Sequence, residues 1–86
     1  MQTNVRQTSI DSFYALKDLG ARQREVYNCV NEFGPLSNLD IASRLQKPIN
    51  QITGRTFELV AGGLVEESHR GISLHTGRKV IFWRVT

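Results

Sequence analysis

Gln51, Thr53 and Arg55 alternate along a short stretch, with Asn50 ahead of them and Gly54 between. An amide, a hydroxyl and a guanidinium are groups that hydrogen-bond the edges of nucleic-acid bases. Gly54 either admits close approach of a backbone or is simply a poor helix residue. A second set is cationic: Lys47 just before the stretch, and Arg70, Arg78 and Lys79 toward the C-terminus, all suited to phosphate oxygens. No other constellation points to chemistry. His69 lies near Glu66 and Glu67 without a nucleophile, no glycine-rich phosphate loop precedes a helix, and Cys29 with His69 and His75 makes no zinc spacing. Cys29 sits among Val26, Val30 and Phe33 and reads as a small buried side chain. Catalysis, a metal, a cofactor and a small-molecule ligand are therefore not expected.

The elements that would position these groups follow from periodicity. Leu39, Ala42 and Leu45 keep i, i+3 spacing and Ile41 and Leu45 keep i, i+4, so a short helix with one buried face is expected there. Ser37 or Asn38 caps it, and Lys47-Pro48 ends it because the residue before proline is pushed out of the helical region. Asn50 offers a second cap. Ile52, Thr56, Leu59 and Val60 then form the inward stripe of a helix stopping at Gly62-Gly63, with Gln51, Thr53, Gly54 and Arg55 on the opposite, N-terminal side. Two short helices joined by a proline turn are the pattern of a helix-turn-helix, whose second helix presents such side chains to the major groove.

Before this pair, Ala21 to Phe33 reads as a helix with Val26, Tyr27, Val30 and Phe33 inward, terminated by Gly34-Pro35. Leu36 occupies the place of a very short strand. After it, a strand begins over Leu64 to Glu67, Gly71 marks a bulge, Thr76-Gly77 forms the tip, and Lys79 to Val85 returns. Ile81, Trp83 and Val85 are expected on the inner face, with Val80 and Phe82 on the other. Trp83 reads as core, although an indole there could also stack on a base. From Ser68 onward the chain carries Arg70, Arg78, Lys79 and Arg84 and no acidic residue, as suits a hairpin lying along phosphates. Edge-protecting charges on a solvated hairpin would look alike.

Eighty-six residues bound the answer to one small domain, and the net charge of +3 is modest. No run of about 18 apolar residues is present, so a membrane span is not expected. Met1 to Ser9 is polar where a secretory leader needs an apolar stretch, and the single cysteine suits a reducing compartment, so a cytoplasmic location is expected. Residues 1–8 read as a tail and 9–19 as an N-terminal helix. Ile10, Phe13, Tyr14, Leu16 and Leu19 form a broad stripe there, which either packs on the core or contributes a dimer surface.

Arg22-Gln23-Arg24-Glu25-Val26, then Ser37-Asn38 with Ile41-Ala42 and Leu45, then Pro48-Ile49-Asn50, Ile52-Thr53-Gly54-Arg55, Glu58-Leu59 and Gly63-Leu64-Val65-Glu66, and finally Thr76-Gly77-Arg78-Lys79 and Trp83-Arg84 succeed one another. In this order and spacing, residues 20–86 resemble winged-helix domains related to MarR-type regulators, and more closely small DNA-binding proteins of bacteriophages and prophages. The resemblance implies an α+β winged helix-turn-helix: a three-helix core, an extra N-terminal helix and a C-terminal hairpin wing. It implies a sequence-specific double-stranded DNA-binding regulator, acting alone or as a homodimer. Two departures stand out. Gly62-Gly63 doubles a glycine that is usually single, and no long C-terminal dimerisation helix follows, so a ligand-responsive dimer is not expected. Winged helices also serve as protein-interaction modules, for instance in replication, packaging or transcription complexes, and that is the rival expectation.

Overall fold

The computed structural model describes residues 18–86. The expected tail and most of the expected N-terminal helix lie outside these residues; Leu19, at that helix's end, packs against the core. Helix α1 spans Ala21–Phe33 and begins after Gly20, whose N–H donates to Gln23 Oε1 at 2.9 Å. It buries Val26, Cys29 and Val30. Burial pushes the Cys29 thiol above its ordinary pKa, which keeps it an unreactive packing group. Phe33, expected inward, is instead exposed at the helix end, where the Arg44 guanidinium lies 4.0 Å from its ring centre. A cation over an aromatic face stabilises the ring without burying it. The helix ends at Gly34, which precedes Pro35 and takes an extended backbone, and only glycine fits there because a Cβ would stand 2.5 Å from the Val30 carbonyl oxygen.

Helix α2, Asn38–Leu45, is capped by Ser37 rather than Asn38. The Ser37 hydroxyl accepts from Asp40 N–H at 3.2 Å, and Asp40 Oδ2 accepts from Ser37 N–H at 3.0 Å, so two otherwise unpaired donors are satisfied reciprocally. Ile41 and Ala42 are buried and Leu45 packs against the core, as their spacing requires; Leu39 is only half-buried.

Helix α3 spans Ile49–Ala61 and starts directly after Pro48. Asn50 is therefore not a cap: it is an exposed residue of the first turn, because Pro48 itself occupies the cap position. Ile52, Thr56 and Leu59 face inward, while Val60 lies at the edge of the stripe and is exposed. The doubled glycine is resolved at the C-terminus. Gly62 keeps helical angles and Gly63 takes the left-handed conformation at φ 78°. Leu64 N–H then bonds Leu59 O at 2.9 Å and Gly63 N–H bonds Val60 O at 3.0 Å, which satisfies the last carbonyls and sends Leu64 back into the core beside Leu59.

Strands β1, Val65–Ile72, and β2, Lys79–Val85, pair antiparallel. The irregularity falls between Glu67 and His69, not at Gly71, which pairs in register with Val80. Gly71 has a different role: a Cβ there would come 3.2 Å from the Phe82 ring. That ring stacks on His69 with centroids 4.8 Å apart, while Trp83 and Val85 pack on the core. Ile81, expected inward with them, is only half-buried, as Val80 and Phe82 are, and is not among the residues packed on the core. Leu36 pairs with Trp83 through two backbone bonds of 3.0 and 2.8 Å, joining the helices to the hairpin.

Candidate nucleic-acid interface

A helix turns about 100° per residue, so α3 has three sides besides its buried one. Directly opposite Ile52, Thr56 and Leu59 lie Asn50, Gly54, Phe57 and Ala61, spaced i, i+4, i+7 and i+11. Gly54 borders open space, with no atom within 4 Å of where a Cβ would be. Asn50 is exposed there, available to a partner in front of the helix.

The candidate base-reading residues are thus not on one face. Gln51 and Arg55 lie on the flank next to α1, where Gln51 Oε1 accepts from Arg22 Nη1 at 3.2 Å. Arg55 is engaged by Glu58 through Nε to Oε1 at 2.8 Å and Nη2 to Oε2 at 2.9 Å. Gln23 Nε2 donates to the same Oε1 at 2.9 Å. Hydrogen bonds from Arg55 and then Gln23 hold the Glu58 carboxyl below the ordinary range, and the pair raises the Arg55 pKa in turn. Thr53 lies on the other flank, and its hydroxyl donates to Ile49 O at 3.2 Å, which leaves it acceptor capacity only. On that flank Thr53 and Val60, with buried Thr56 behind them and Phe57 at the edge of the outward face, border with Asn38 and Trp83 a cavity of about 170 Å³. Trp83 packs against the core as part of this wall.

The cations divide as well. Lys47 Nζ lies 3.9 Å from Glu25 Oε1, which ties the turn to α1. Arg70 pairs with Glu67 at 3.3 Å and Arg84 with Glu66 at 2.7 Å. A segment free of acids in the sequence is therefore half-neutralised in space, because the acids lie on the first half of β1. Arg78 and Lys79, at the far end of the hairpin, have no acidic partner among the described residues. His75 in the same turn reaches Asp40 Oδ1 at 3.1 Å and so fastens the hairpin end to the start of α2.

Sequence reasoning missed Phe57, which is 72% exposed on the outward face of α3. The signal was present: Phe57 follows Thr56 and precedes Leu59 outside the inward stripe. The Arg55–Glu58 pair follows from their i, i+3 spacing on one helix, whereas Gln23, the second anchor of Glu58, comes from α1 and has no such signal in the sequence.

Among the described residues, three helices with a tightly joined second and third, a one-residue strand at Leu36 and an antiparallel hairpin define the architecture. The fold is a winged helix. No family model matches the chain, and no curated protein matches it. Among solved structures, the transcriptional regulator PA4135 matches 99% of this chain with a TM-score of 0.60 and 18% identity, over 62% of its own length. MepR from S. aureus, solved in complex with DNA, matches 99% with a TM-score of 0.57 and 17% identity, over 66% of its length. A ROK-family transcriptional regulator homologous to the E. coli MLC protein matches 73% with a TM-score of 0.57 and 24% identity, over 16% of its length. At these identities the likeness is one of fold, and the chain spans less than two thirds of each of these regulators. Among the described residues, no helix is long and apolar enough to cross a membrane.

Proposed function

We propose that this winged helix is a sequence-specific double-stranded DNA-binding domain with a regulatory role in transcription. The observation that carries the reading is the uncluttered first half of α3, with Asn50 and Gly54 facing outward, in a fold whose wing ends in the unneutralised Arg78 and Lys79. A helix so exposed can enter a major groove while cations at the hairpin end meet phosphates. Asn50, Gln51, Thr53 and Arg55 are the proposed base-contacting residues, and Gly54 the point of closest approach. Lys47 and Arg70 are secondary phosphate contacts, since each is already held by a glutamate. Activity without a catalytic centre, in a bacterial cytoplasm, belongs to the same reading. Its phage or prophage context rests on the sequence resemblance. A homodimer on a two-fold site would double the few base pairs one short helix can read, and sedimentation of the full chain with and without its selected duplex tests it.

Selection of bound sequences from a random duplex pool tests the main claim: a recovered consensus supports it, and a pool that stays random rejects it. Exposed Ile49 and Val60, on the flank away from Asn50 and Gly54, favour the rival use of the domain as a protein-interaction module. Retention on nonspecific duplex at low salt, lost steeply as salt rises, separates the two. A protein-interaction module would pass through unretained.

A further inference from the structure

We propose that Phe57 reads the C5 methyl group of a thymine and so is a specificity-determining residue of α3; the inference rests on the DNA-binding reading. Phe57 stands one turn beyond Gly54 and two turns beyond Asn50 on the face opposite the buried Ile52, Thr56 and Leu59. At 72% exposure it is the largest apolar group on that face, and its neighbours there are small: Gly54, with open space above it, and Ala61. The ring stands where that face borders the Thr53 flank, at the mouth of the cavity it lines with Val60 and Trp83, so a groove floor approaching Gly54 comes up beside it.

The chemistry of the surroundings selects the partner. Arg78 and Lys79 carry unneutralised positive charge, and the glutamate of α3, Glu58, is turned to Arg55 and Gln23 on the flank. Such a surface complements a polyanion. An apolar ring on the helix that would enter the groove of that polyanion calls for an isolated aliphatic group there, and in the major groove the thymine methyl is that group.

The test replaces each thymine of the selected duplex, one at a time, by deoxyuridine, which differs from it only by the methyl. Binding by wild type, Phe57→Ala and Phe57→Leu is measured by fluorescence anisotropy. We expect one thymine-to-uracil change to weaken wild-type binding about four-fold, the equivalent of one buried methyl group. Phe57→Ala should bind the two duplexes equally, and Phe57→Leu should retain part of the discrimination. Because Phe57 is exposed, melting of the variants should match wild type; if Phe57→Ala fails to fold, wild type and Phe57→Leu still decide. A selected site without thymine, no loss at any uracil, or a loss undiminished in Phe57→Ala overturns the inference while leaving DNA binding intact. Absence of specific binding by wild type overturns the DNA-binding reading itself.

Discussion

Arg55 and Glu58 form a two-pronged ion pair on the α1-facing flank of α3, with Nε–Oε1 at 2.8 Å and Nη2–Oε2 at 2.9 Å. The same fork of donors would serve a guanine, so binding a base means exchanging one bidentate partner for another. Arg55→Ala should leave the fold intact, lower specific affinity between about five- and a hundred-fold, and relax preference at one position of the site. Arg55→Lys should not restore it, since an ammonium cannot span two acceptors. Glu58→Gln, which removes both the competitor and a negative charge near the DNA, should raise affinity for every duplex. Titrations against the selected site and its single-base variants check all three, and a uniform loss in Arg55→Ala would make Arg55 a phosphate contact.

Arg78 and Lys79 should supply affinity without sequence preference. Replacing both by Ala should weaken all duplexes alike and flatten the slope of log affinity against log salt by nearly two units, at ~0.9 per lost phosphate contact. Arg84→Ala should change the slope less, because Arg84 is paired with Glu66 at 2.7 Å. Equal slopes for wild type and the double variant would remove the hairpin end from the interface.

Asp40 couples the hairpin to α2 and should make stability depend on acid. Burial tends to raise its pKa, but hydrogen bonds from the Ser37 backbone and hydroxyl and from His75 outweigh this and leave it below 3.8. A carboxyl with a lowered folded-state pKa contributes stability that is complete well above 3.8 and is lost as pH falls through the lowered value. Urea unfolding of wild type and Asp40→Asn should therefore differ at pH 7, and the difference should shrink as pH falls below 3.8. Ser37→Ala, which removes the cap oxygen, should cost about 1 kcal/mol at neutral pH.

The two glycines after α3 should respond differently to substitution. Gly63→Ala places a Cβ on a residue at φ 78° and should destabilise by about 1 kcal/mol or more. Gly62→Ala, at φ −82°, should stay within about 0.5 kcal/mol of wild type. Thermal melts order the pair, and equal losses would contradict the assignment of Gly63 as the left-handed residue.

Much of the architecture was legible in the chain because it is written in local rules. Ser37 and Asp40 are three residues apart and cap α2 by themselves, Gly34-Pro35 and Gly62-Gly63 stop helices, and Val26, Ile41, Ile52 and Leu59 fall inward by helical period alone. Cap positions still misled once, at Asn50, where a cap at Pro48 begins the helix two residues earlier than a cap at Asn50 would.

What the sequence determined by itself, then, is the order of the described elements and the stops of the helices, since helix ends depend on contacts within a few residues. Which face of α3 is presented, and which cations remain unneutralised, only the tertiary structure decided. Those outcomes turn on groups that meet across the fold: Arg22 with Gln51, 29 positions apart, Gln23 with Glu58, 35 apart, and Arg84 with Glu66, 18 apart. A charge or a ring has its availability set by the packed neighbours it meets, and no period along the chain encodes those. Glu58, held by Gln23 of α1 as well as by Arg55 of its own helix, is the clearest case.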